Sequence, residues 1–226
     1  MNTTVFFTKC CHDVDFVLWL TGGQVESVKS EKGTRIFTPA DAPSGAADRC
    51  VRCAIEQTCP YSAVDLYLRR KDWIKGFISQ PGESRDETIL RMLKESRYGR
   101  CVYACPENDV IDRQAVTLEM RSGIKAEVIM ECITDEKDRY TLIDCENAVI
   151  TGDESFIDVT YKNSFELPER YDFEWTRGMK LHAGADLQIV KEFIESIKEG
   201  HLQTKTPSAE SLSSHLVCFL AEEKSI

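Results

Sequence analysis

From residue 5 to residue 20, apolar positions recur at spacings of three and four. Phe7, Cys10, Cys11, Val14, Val17 and Leu18 build one stripe of a helix, and Gly22-Gly23 end it. A helical pattern that opens this close to Met1, with no strand or loop leading into it, reads as a piece cut from a longer chain. Val25 to Phe37 reads as a hairpin around the turn signal Glu31-Lys32-Gly33-Thr34. Residues 38–62 carry three prolines, one glycine and three cysteines, an irregular insertion long enough to be functional or locally cross-linked. Ser62–Trp73 and Glu83–Glu95 then read as helices.

From Ala115 the period changes to two. Residues 115–120 and 125–130 face each other across Arg121-Ser122-Gly123, a strong hairpin signal. Tyr140–Asp144 and Ala148–Ile150 form a further pair, and Phe156–Tyr161 alternates again. Asp186–Glu199 is an amphipathic helix stopped by Gly200, and a last helix runs from about Ser208 to Glu223, capped by Ser208 or by Thr206-Pro207. This order predicts an α+β fold. A single domain over residues 1–226 would hold one mostly antiparallel β-sheet, helices on one face, and a Cys-containing insertion.

Composition narrows the function classes. The chain has 226 residues with 28 basic and 38 acidic side chains, a formal charge of −10, which repels phosphate backbones and anionic lipid. No nucleic acid and no membrane are expected as partners. No apolar run reaches the 18 or so residues of a membrane span, and Lys9, His12, Asp13 and Asp15 interrupt any signal-peptide pattern, so a cytoplasmic location is expected. Without an export signal, ten cysteines point to metal binding, reactive thiols or core packing.

Three constellations carry chemistry. The first is Lys9-Cys10-Cys11-His12-Asp13, where Lys9, His12, Asp13 and Phe16 share a helix face opposite the core stripe. An imidazole between a lysine and carboxylates suits proton transfer near neutrality; the plain alternative is a solvated face with an i,i+4 Lys-Asp pair. The second is Cys50-x2-Cys53-x5-Cys59, with Cys101 and Cys105 downstream. Two thiolates two residues apart can grip one tetrahedral Zn²⁺ with a third nearby, so a structural zinc is a candidate, beside a disulfide or simple packing of small thiols. The third is His182-Ala183-Gly184-Ala185-Asp186, where Asp186 stands at a helix start and His182 is either a ligand for a hydroxyl or incidental. His201 and His215 read as structural, and Cys132, Cys145 and Cys218 as core residues.

The string KCCHDVDFVLWL at 9–20 resembles the opening of the C-terminal domain in the Gfo/Idh/MocA oxidoreductase family. The resemblance continues through FTPADAPSGAADRC at 37–50, CPYSAVDLYL at 59–68, YGRCVYAC at 98–105, DVIDRQAV at 109–116, HAGAD at 182–186 and SSHLVCFLAEE at 213–223. It implies the substrate-binding and oligomerisation domain of an NAD(P)-dependent enzyme acting on a sugar, inositol or related polyol. The Rossmann domain that binds NAD or NADP would be a separate N-terminal partner, and this chain alone would be inactive and bind no dinucleotide.

By the same resemblance His12 exchanges a proton with the substrate hydroxyl. Lys9 stands near the Thr8 position, where many members carry an aspartate, and Asp13, His182 and Asp186 face the substrate. A homo-oligomer through the open sheet face is expected, with Val116, Leu118, Val128 and Met130 as its apolar positions if the register turns them outward. The competing reading is a non-catalytic, zinc-stabilised protein-interaction module.

Overall fold

The computed structural model describes residues 4–34, 36–71, 76–104, 111–134, 139–173, 185–200 and 208–223. The chain forms two compact units, Met1–Cys132 with Leu212–Ile226 and Ile133–Ser211. The α+β class expected from the periodicities is met; among the described residues seven strands are hydrogen-bonded as two antiparallel ladders of three and four strands.

In the first unit, helices α1 (Val5–Lys9) and α2 (Cys11–Thr21) follow one another through Cys10. The Cys10 N–H donates to Phe6 O and its own carbonyl accepts from Val14, so the apolar stripe runs on across the junction. Gly22 ends α2 in the left-handed conformation at φ 85°, which a glycine adopts without a Cβ penalty. Strand β1 (Val25–Gly33) then pairs with β2 (Arg113–Met120), and β2 with β3 (Lys125–Glu131) across the turn at 121–123.

The hairpin expected within Val25–Phe37 does not form. Glu31, Lys32 and Gly33 continue the ladder opposite Ala115, Gln114 and Arg113, so pairing with a distant, buried strand prevails over the local turn signal. The buried Gln114 side chain ties that pairing by donating to Ser30 Oγ at 3.0 Å.

One face of β1–β3 meets α1, α2 and α5 (Ser208–Glu223) in a core built from Phe6, Val14, Leu18, Val116, Leu118, Val128, Met130, Val217 and Cys218. Val116, Leu118, Val128 and Met130 thus point inward, against the outward register considered for an oligomer face. The other side of this ladder carries Thr117, Glu119 and Glu127, with Ile129 as an exposed apolar exception. His215 lies edge-on to Phe7, as a structural histidine would. Burial pushes the core thiol of Cys218 up to about 12, with Cys11 and Cys10 beside it adding to the shift. Cys132 and Cys145, by contrast, are exposed and not core residues.

A second, smaller core holds the insertion. Cys50 and Ala63 pack against Ile89 and Leu93 of α3 (Arg85–Glu95), which starts on a capping box between Ser84 and Glu87. The helix expected at Ser62–Trp73 is a short helical segment with a widened turn over Asp65–Arg69; residues 72 and 73 lie outside the described residues.

The second unit contains β4 (Thr141–Asp144), β5 (Ala148–Gly152), β6 (Phe156–Tyr161), β7 (Glu169–Asp172) and α4 (Ala185–Glu199). Strand β7, unforeseen because all four residues are exposed and mostly polar, is held at the edge by Arg170. Its guanidinium lies 4.1 Å from the Phe156 ring centroid and bonds Asp158 at 3.0 Å. By register and alternation, Ile143, Ile150, Ile157, Val159 and Tyr171 share one side of this ladder. Among the described residues no helix is long and apolar enough to cross a membrane.

Candidate functional site

The first candidate site is the outward face of α2. Cys11, Val14 and Leu18 are buried in the core, and this fixes the helix rotation and leaves His12 exposed on the opposite side. Lys9, in the last turn of α1, is exposed as well, and Asp13 is half-buried. The three residues expected to act together are therefore carried by one helical run, with the imidazole open to a ligand.

Two aromatic residues extend this face. Phe16 and Trp19 stand one and two turns beyond His12, stacked with centroids 6.1 Å apart and planes at 29°, and Trp19 is 74% exposed. Trp19 is not among the residues that the His12 motif singles out; its signal in the sequence is an aromatic at i+7 from His12, off the core stripe. At 1.5 Å per residue the platform from His12 to Trp19 is about 10 Å long, the scale of a two-ring ligand.

Of the other expected substrate ligands, Asp186 is exposed in the first turn of α4, in the second unit, where its charge favours the helix start. His182 lies outside the described residues, as do Cys105, His201 and the Thr206-Pro207 cap.

The second candidate site is the thiol group of the insertion. Cys50, Cys53, Cys59 and Cys101 are free thiols that line one cavity of about 20 Å³, room for a single water molecule. Burial pushes the Cys50 thiol up, a backbone hydrogen bond at Ala63 pulls the other way, and proximity to Cys101, Cys59 and Cys53 raises it further. Phe37, Tyr61 and Tyr103 close round the same place edge-to-face, at centroid distances of 5.0, 5.7 and 6.2 Å.

Glu56, also on the cavity wall, is committed elsewhere. It accepts from the Arg69 guanidinium at 2.6 Å and from Ser62, and the Arg69 hydrogen bond is the main cause holding its carboxyl below the usual range. As they stand, no three His, Cys, Asp or Glu side chains among the described residues are gathered into a group that could hold a metal ion.

Among the described residues every strand pairs antiparallel to its neighbours, and none leads through a glycine-rich turn into a helix.

No family model matches the sequence, and no curated protein does. Among solved structures, UDP-N-acetylglucosamine 3-dehydrogenase GnnA from Acidithiobacillus ferrooxidans matches in two crystal forms. The TM-scores are 0.53 and 0.54, both at 11% identity, covering 95% and 96% of this chain and 44% and 45% of that one. The WlbA dehydrogenase from Bordetella pertussis, in complex with NADH and UDP-GlcNAcA, matches with a TM-score of 0.43 at 12% identity, over 99% of this chain and 43% of that one. The chain thus spans less than half the length of these dehydrogenases. At such identity the likeness is one of fold: the chain shares the fold of part of the GnnA dehydrogenase.

Proposed function

We propose that this chain is the substrate-binding domain of an NAD(P)-dependent oxidoreductase acting on a secondary alcohol of a sugar, inositol or related polyol. The dinucleotide is held by a separate Rossmann domain of the longer protein. The observation that carries the reading is His12, solvent-facing on a helix whose other side is locked into the core, in a fold shared with a sugar-nucleotide dehydrogenase.

Oxidising an alcohol removes a proton as well as a hydride, and the nicotinamide, when bound, supplies the hydride acceptor. The part assigned to this chain is the proton. An imidazole nitrogen of His12 accepts it from the hydroxyl, Lys9 and Asp13 bias the charge around the ring, and the Phe16–Trp19 stack offers a flat apolar surface to a ring of the substrate.

The test is calorimetry with NADH and NADPH. Neither shows saturable binding to this chain at micromolar concentration, whereas the longer protein binds one of them. Saturable binding to the chain alone would overturn the division of labour. An upstream reading frame that encodes no strand, glycine-rich turn and helix would do the same.

Self-association belongs to the same proposal, on a different surface from the one first considered. The three-stranded ladder turns its apolar side to the helices, so the face proposed is that of Ile143, Ile150, Ile157, Val159 and Tyr171 in the four-stranded ladder. Light scattering at tens of micromolar is expected to give a dimer or larger species, and Ile157→Lys to give the monomer mass. A wild-type chain that stays monomeric would remove the oligomerisation role.

A further inference from the structure

We infer that Cys50, Cys53, Cys59 and Cys101 form a four-thiolate structural zinc site whose fourth ligand is Cys101. The inference does not depend on the proposed enzymatic role. It starts from backbone geometry. Cys50–Arg52 make one 3-10 turn, and the Cys53 N–H donates back to Cys50 O at 3.2 Å, which sets the first two thiols one tight turn apart. A second turn returns the chain, with the Cys59 N–H on Ile55 O at 3.0 Å and the Ser62 N–H on Cys59 O at 3.2 Å.

The fourth cysteine is distant in sequence and is pinned by main chain. Arg49 and Arg100 form an isolated antiparallel bridge, and the Cys101 N–H donates to Asp48 O at 2.8 Å. Two backbone ties therefore seat Cys101 next to Cys50, although nothing in local sequence requires it.

All four side chains line the same water-sized cavity, walled by Tyr61 and Tyr103. Its donor set is soft and of one kind, since Glu56 is held by Arg69 and Ser62. Four thiolates of this sort select a tetrahedral d¹⁰ ion and leave no coordination position open, so the site is structural and supports no chemistry of its own. The thiols surround the cavity without yet closing on a common centre. The ion draws them in to about 2.3 Å each, and in doing so cross-links residues 38–62 to the segment at Cys101.

The test uses this chain purified without chelator. Metal analysis gives about one zinc per chain, and four thiols stay unreactive towards a disulfide reagent until a strong chelator removes the metal. Hydrogen exchange across residues 38–62 and around Cys101 then accelerates and recovers when zinc is restored. Cobalt(II) added to the stripped chain gives tetrahedral ligand-field and thiolate charge-transfer bands. Cys101→Ser and Cys59→Ser abolish the zinc, and Cys132→Ser keeps it. Should the two serine variants fail to fold, the chelation and cobalt measurements on the unmodified chain decide the matter. Less than about 0.1 zinc per chain after zinc supplementation, with all thiols reactive, overturns the site. So does a Cys50–Cys53 disulfide in the purified chain, or iron in place of zinc.

Discussion

On the proposed function, replacing His12 by alanine in the longer protein is expected to lower kcat by about 10²- to 10⁴-fold and to leave dinucleotide affinity unchanged. The magnitude is that of losing a positioned proton acceptor. The structural setting makes the result readable. His12 is exposed on α2, and the fold-bearing contacts of that helix are made by Cys11, Val14 and Leu18 on its other side. Truncating an exposed side chain away from such contacts shifts stability by no more than about 0.5 kcal/mol, so a kcat loss cannot be laid to unfolding.

The split between KM and kcat adds a readout that a structural role would not move. Lys9→Ala gives a smaller fall in kcat, because it removes a neighbouring charge and leaves the acceptor. An unchanged kcat in His12→Ala removes the residue from the mechanism, and a raised KM with kcat intact reassigns it to binding.

The local features of the fold were legible where one short window contains the whole cause. The stripe on α2, the amphipathic α4, and the hairpin turning at Arg121-Ser122-Gly123 each depend on residues within about two turns or one reverse turn of one another. They appear with the expected boundaries to within a few residues. What was not legible depended on partners elsewhere. Glu31, Lys32 and Gly33 look like a turn until Ala115, Gln114 and Arg113 are beside them, and β7 has no apolar residue except Tyr171 to announce a strand. The division of the strands into two ladders is likewise a matter of who pairs with whom.

The candidate sites show the same boundary. The exposure of His12 follows from the stripe opposite it, so a helical wheel was enough. The grouping of Cys50, Cys53 and Cys59 follows from their spacing. Cys101, in contrast, joins them through a bridge between Arg49 and Arg100 that no spacing encodes. Cys132 and Cys145 show the converse error. A cysteine carries no sign of which way its strand end will face, and both ended at the surface.

Gly99→Ala lowers the stability of the first unit by about 3 kcal/mol or more, at or beyond the upper end of overpacking costs. Gly99 is buried in the 3-10 turn Arg97–Gly99, which folds back under the C-terminal end of α3. A Cβ built there would sit 1.7 Å from the carbonyl oxygen of Leu93 and 2.5 Å from its carbon. Both are backbone atoms, so no side-chain rotation relieves the clash and the last turn of α3 has to move.

That turn is held from two directions. Leu93 is fully buried in the core around Ile89 and Cys50, and its carbonyl accepts from the Arg49 guanidinium at 3.1 Å, which also reaches Ser96 O at 2.9 Å. Displacing it strains the core and weakens the Arg49 anchor beside the Arg49–Arg100 bridge. The damage therefore reaches the thiol cavity and does not end at the helix terminus. In a chain of this size about 3 kcal/mol corresponds to roughly 6–12 °C in Tm, measured by calorimetry or circular dichroism. Gly33→Ala, with nothing within 4 Å of the added atom, serves as the control and shifts Tm by far less. Equal melting of Gly99→Ala and the unmodified chain would mean that α3 and the following turn do not pack as described.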